Sequence, residues 1–264
     1  MATSALEQTL RHDRLIVAIG IATVVAFSWG YLLAGAGIDM SMADMPMDPE
    51  PWSPAQGLLM FAMWWVMMVA MMVPSAAPTI LLFAAIKRRQ TTTESPVIAS
   101  WLFLAGYLVI WAGFSVAAVS LQWGLDQAGL LSGMMASTSS VIAGIILIAA
   151  GLYQLTPIKR ACLRYCQNPL LFLSSYWQRG AMGALRMGLQ HGGYCVGCCW
   201  FLMALLFVAG VMNLAWVAAV AIYVACEKLL PRSPWLSRIA GVGLIVSGGL
   251  VLAYGLTVTA PASL

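Results

Sequence analysis

The sequence predicts an all-α fold, a polytopic transmembrane helical bundle of about seven spans with its N-terminus in the cytoplasm. Three observations predict it. Of the 264 residues, 62% are hydrophobic and 8% charged, with a mean hydropathy of +0.89, whereas soluble domains are about half apolar and a quarter charged. Apolar runs of spanning length recur along the chain, each bounded by charge or by proline and glycine clusters. The thirteen Lys and Arg residues all fall on one side of the resulting topology, which fixes its orientation by the positive-inside rule.

The runs lie near 15–37, 55–86, 97–121, 139–156, 188–211, 214–230 and 239–258. Arg11 and Arg14 precede the first, and Ala34-Gly35-Ala36 has the small residues of a signal cleavage site. Its apolar region exceeds the roughly 7–15 residues of a signal peptide, so a retained helix is expected. The second run is long enough to tilt, and Pro74 and Pro78 remove backbone donors, which predicts a kink in its inner part. The glycine-rich stretch from Gly180 to Gly193, with Arg179 and Arg186, reads as an interfacial or re-entrant lead-in to the fifth run. Residues 1–264 thus form a single transmembrane domain, with a Met/Asp-rich periplasmic loop over 38–54 and a cytoplasmic loop with an interfacial segment over 157–187. The net charge of +4 follows from this topology and implies the lipid bilayer, with no nucleic acid, as partner. An oligomer is compatible with such a chain.

The same topology sorts the sulfur. All six cysteines lie toward the cytoplasm, where thiols stay reduced, so a disulfide framework is not expected despite the even count. Methionines favour the other side. In IDMSMADMPMDPEPWSP, Met40, Met42, Met45 and Met47 alternate with Asp39, Asp44, Asp48 and Glu50. Thioethers suit Cu(I) and carboxylates attract a cation, so metal collection is one reading and a methionine-rich loop in the lipid interface the other. In the second run Met63, Met67 and Met71 repeat at i, i+4 and i+8, and Met68 with Met72 forms a pair on a neighbouring face. That spacing gives a ladder of soft ligands or flexible core filler.

The densest constellation is HGGYCVGCCW over 191–200. On a helix His191, Cys195 and Cys198 or Cys199 share one face, a compact set of nitrogen and sulfur donors for a soft or borderline metal. Packing as small hydrophobes and thiol redox chemistry are the alternatives. Cys162 and Cys166 have i, i+4 spacing rather than the CxxC of a redox or zinc knuckle, and two thiols on one helical face could deliver or receive metal. Glu227 beside Cys226 could also bind, or be neutralised by Lys228 at the helix end.

Four motifs, WxVMMxAMMxPSxxP (64–78), YQLTPIKxxCLxxC (153–166), GALRMGLQHGxYCxGCCW (183–200) and the stretch from Met212-Asn213-Leu214 to Glu227-Lys228-Leu229, resemble a bacterial family of predicted metal-binding integral membrane proteins of unknown function. The resemblance implies metal binding through His191, Cys195, Cys198 and Cys199 in a multi-pass protein of the bacterial inner (cytoplasmic) membrane, and supplies no reaction.

The expected function is copper handling, by uptake or by delivery to a metallochaperone or copper enzyme. An outer Met/Asp loop, a Met-rich second helix and an inner His/Cys cluster would carry the ion, and zinc or iron are the alternative metals. The competing reading is a membrane oxidoreductase or thiol-redox protein with a fixed metal at the cluster. No CxxCH haem site, P-loop or GxSxG elbow is visible, and the last span has no lysine for a retinal Schiff base. Transport or delivery is therefore expected ahead of catalysis.

Overall fold

The apolar runs become helices whose ends follow local chemistry. A computed structural model describes residues 2–35, 52–90, 95–130, 139–230 and 234–259. In chain order the helices are α1 (Ala2–Leu33), α2 (Pro54–Arg89), α3 (Pro96–Gln127), α4 (Ser140–Leu155), α5 (Pro157–Gln167), α6 (Pro169–Tyr176), α7 (Gly180–Ala204), the single turn α8 (Leu206–Ala209), α9 (Leu214–Leu229) and α10 (Pro234–Thr259). The start of α2 is a capping box in which Ser53 and Gln56 bond reciprocally, with Pro54 at the first helical position, where its missing N–H costs nothing. Thr156 closes α4 and opens α5, its hydroxyl accepting from the Lys159 amide. Because Pro157 follows, α4 cannot continue, and the chain bends by 67°. Asn213 caps α9 in the same way, accepting from the Trp216 amide.

Five of these segments are long and apolar enough to cross a membrane: Arg14–Leu33, Pro54–Arg89, Pro96–Gln127, Gly180–Ala209 and Trp235–Gly255. The bent pair α4–α5 raises the number to six if it counts as one span. Seven were expected. The difference falls on α9, whose 16 residues reach about 24 Å at 1.5 Å each, short of a hydrocarbon core of about 30 Å.

Two glycine contacts set the close helix pairs. Gly188 of α7 lies against the backbone of Phe103 on α3, and Gly106 of α3 against that of Leu185 on α7, so a Cβ at either position would collide with a carbonyl oxygen. Gly151 and Gly241 do the same for α4 and α10, where an added Cβ on Gly151 would sit 2.6 Å from the Gly241 oxygen. This explains the glycine-rich lead-in to the fifth run. It is helical and belongs to α7 from Gly180 onward, and its small residues let α3 approach. The expected cytoplasmic loop over 157–187 is likewise helical, being α5, α6 and the first turns of α7. The proline-bearing α2 runs on as one helix through Pro74 and Pro78, with Met63, Met67, Met68, Met71 and Met72 all in the core. Met40, Met42, Met45 and Met47 of the predicted outer loop lie outside the described residues.

Candidate metal centre

Where α7 passes between α2, α3, α5 and the end of α9, its cysteines meet side chains from all four neighbours. HGGYCVGCCW is helical, which aligns His191, Cys195, Cys198 and Cys199 along one buried stripe. Gly192, packed on Ile110 and the Tyr107 carbonyl, draws α3 in beside this stripe.

The sulfurs form two pairs. Cys166 of α5 lies 3.9 Å from Cys198, and Met72 of α2 lies 3.9 Å from Cys199. Two sulfurs bound to one metal at about 2.3 Å are about 3.8 Å apart at a tetrahedral angle and about 4.0 Å at a trigonal one. Both separations therefore suit a shared soft ion. Among the described residues no three His, Cys, Asp or Glu side chains converge into a single ligand set; the geometry offers successive pairs, one of thiols and one joining a thiol to a thioether. Cys162, half-buried one turn before Cys166, extends the sulfur toward the surface beside Gly197, whose added Cβ would sit 3.0 Å from the Cys162 sulfur.

Each thiol is held from a second direction. Cys198 and Cys199 donate to the Cys195 carbonyl at 3.1 and 2.8 Å. The Tyr107 hydroxyl lies 3.0 Å from the Cys195 sulfur and donates to the Met72 carbonyl at 3.1 Å, linking α3, α7 and α2 at one point. His191 is 2% exposed, its ring enclosed by Phe103, Tyr107 and Phe172, and its Nδ1 has no hydrogen-bond partner among the described residues. A buried ring nitrogen left unpaired is costly unless it meets a ligand. Beside this stripe the hydroxyls of Tyr176 and Tyr194 are hydrogen-bonded to each other, which holds the Tyr176 phenol above its ordinary pKa of 10.0.

The least expected member is Lys228, 3% exposed. Its ammonium donates to Cys195 at 2.9 Å and to Ser75 at 3.4 Å, and it lies 3.7 Å from the Met72 sulfur and 4.0 Å from that of Cys199. It does not neutralise Glu227, as its position at the helix end had allowed. That carboxylate pairs with Lys159 at 2.6 Å and also accepts from Tyr223 and Ser237. Sequence reasoning thus missed Lys228 and Tyr107, and it weighted Met71 above Met72, whose sulfur is the one that reaches a thiol. Met63, Met67 and Met71 are buried along the same helix. A buried lysine and a buried tyrosine give no periodic signal; the one cue for Lys228 is its adjacency to Glu227, and that cue pointed to the wrong partner.

Fold and centre define a class: a helical bundle with a buried row of thiols, a thioether and an imidazole, donors chosen by soft cations. Residues 61–251 match the model of the PpoB2 family, described as a copper chaperone, and the chain belongs to that family. The match takes in the methionine helix, the CLRYC pair and HGGYCVGCCW, and begins after the predicted acidic methionine loop. No curated protein and no solved structure matches the chain.

Proposed function

We propose that this chain is an integral membrane copper chaperone that passes Cu(I) hand to hand along buried sulfur and delivers it to a partner at the cytoplasmic face. The observation that carries the reading is the sequence of sulfur pairs, Met72 with Cys199 and Cys198 with Cys166, each spaced for one soft ion. The methionines of α2 lead toward the first pair from one end of the bundle, and Cys162 leads away from the second. Family membership supports the cargo, and five helices of spanning length support the membrane location.

The chain's own residues make the exchange reversible. Cys198 and Cys199 are satisfied as thiols by the Cys195 carbonyl, so each that becomes a ligand surrenders its proton and that hydrogen bond. Lys228 holds Cys195 by a hydrogen bond that an arriving ion must displace, and its positive charge disfavours a second cation close by. Both effects weaken retention, which suits a carrier rather than a store. His191, one turn before Cys195 on the same buried stripe, keeps an unpaired ring nitrogen that an ion passing along the row could meet.

The test is Cu(I) binding by detergent-purified protein free of affinity-tag histidines, with wild type set against Cys195→Ser/Cys198→Ser. The expected result is near-stoichiometric copper in wild type and a loss of roughly a hundredfold or more in affinity in the double variant, with membrane insertion unchanged. Zinc or iron retained in place of copper, surviving exchange, would favour the fixed-metal oxidoreductase. Equal copper in both proteins would return the cysteines to packing.

A further inference from the structure

A second feature lies outside the sulfur row. At the junction of α4, α5 and the start of α10 a cleft of about 530 Å³ opens, with Arg160 on one wall and Arg238 on another. Both arginines are exposed at their helix surfaces, and neither has an acidic partner within 4.0 Å among the described residues. The polar groups of the floor are already engaged. Gln154 accepts from Lys159 and donates to Tyr223, Gln167 donates to the Glu227 carbonyl, and Ser237 donates to the Glu227 carboxylate. Lys159 and Glu227 cancel each other. The cleft is left with two guanidinium charges and no carboxylate among its described lining residues.

The rest of the lining is apolar. Leu155 and Val242 are exposed beside the arginines, and α10 carries a further row of outward Ile239, Val246 and Leu250. A free anion would gain nothing from that row, whereas an amphiphile would bury its chain along it. Guanidinium forks match phosphate oxygens, and basic pockets between spanning helices on the cytoplasmic side suit acidic phospholipid headgroups.

We propose that this cleft binds one anionic phospholipid, its phosphate between Arg160 and Arg238 and an acyl chain along Leu155, Val242 and the outer face of α10. The inference rests on the membrane reading given above and not on the identity of the metal.

Native mass spectrometry of the detergent-solubilised full chain tests it, with titration of phosphatidylglycerol, phosphatidylcholine and inorganic phosphate in turn. Wild type should hold one phosphatidylglycerol in preference to phosphatidylcholine, and Arg160→Gln/Arg238→Gln should lower that retention by roughly tenfold or more. Arg164→Gln/Arg186→Gln, which removes the same charge from positions outside the cleft, should keep it. Equal retention by the cleft variant and wild type, equal retention of the two lipids, or displacement of the lipid by millimolar phosphate would overturn the proposal; the last would make the ligand a free phosphate. Carbonate extraction of the wild-type chain from membranes separates the two levels. A chain released by carbonate overturns the membrane reading and the lipid with it, while a retained chain with no lipid preference overturns only the lipid site.

Discussion

Glu227 and Lys228 are consecutive residues with opposite surroundings. The Glu227 carboxylate, 0% exposed, is met by Lys159, Tyr223 and Ser237, a closed arrangement in which charge and hydrogen bonds balance. The Lys228 ammonium sits among Cys195, Cys199, Met72 and Ser75, with no carboxylate within 4.0 Å among the described residues. Burying a charge is expensive unless it is paired and hydrogen-bonded. The first site meets that condition with an ammonium and two hydroxyls. The second meets it with soft donors that the proposed cargo also needs. One node fastens α9 to α5 and α10, and the other gives the same helix a hold on the candidate metal centre.

Breaking the first node should have the largest effect. Glu227→Gln leaves Lys159 buried beside a neutral amide, and removing one partner of a buried pair costs about 3–5 kcal/mol. The expected outcome is a marked drop in thermal midpoint and in recoverable folded protein, read by fluorescence-detected gel filtration across a temperature series. A variant as stable as wild type would mean that water reaches the pair.

The second node should respond in the reverse sense. Lys228→Met keeps the length, removes the charge and adds a thioether, and replacing buried charge by a well-packed apolar group is often neutral or stabilising. The fold should persist, and Cu(I) release to a chelator in stopped-flow should slow by roughly tenfold, about 1.4 kcal/mol in the barrier. Faster release would make Lys228 an aid to retention and reverse its role in the exchange.

The smallest effect belongs to Met72→Leu. The swap conserves volume, so stability should change by less than about 1.5 kcal/mol. Transfer should slow severalfold, because Cys199 loses the sulfur 3.9 Å away. The same swap at Met71, also buried on α2, should slow transfer less than Met72→Leu does, because the sulfur 3.9 Å from Cys199 is that of Met72.

How much of this was legible depends on the range of the interaction. The helices, and the shared face of His191, Cys195, Cys198 and Cys199, follow from periods of three and four residues. The i, i+4 placement of Cys162 and Cys166 on α5 does as well. Choices that join distant parts of the chain were not legible. Met72 rather than Met71 meets Cys199 because of the rotation of α2 against α7, and nothing within either helix fixes it. Lys159 and Glu227 are 68 residues apart, so the nearer Lys228 looked like the natural partner of Glu227. The glycines before Gly193 read as an interfacial or re-entrant lead-in because their purpose, contact with α3, lies on another helix. Seven apolar runs became five helices long and apolar enough to span, or six with the bent pair α4–α5, because run length in sequence does not report where a cap or a proline will end the helix.

On the membrane reading proposed above, the Glu–Lys dipeptide at the end of α9 also constrains biosynthesis. A 16-residue helix ending in both charges is a poor substrate for insertion into a bilayer by itself, since each ionisable side chain at depth adds a penalty of a few kcal/mol. Every group that meets these two charges from α2, α5 and α7 is earlier in the chain: Ser75 and Met72, Lys159, and Cys195 with Cys199. By the time α9 leaves the ribosome its receiving groups have already been made, and Ser237 follows to close the carboxylate from α10. Order of synthesis thereby becomes part of the fold's chemistry, and a circular permutation that moved α9 ahead of α5 would present the membrane with two charges and no counterpart.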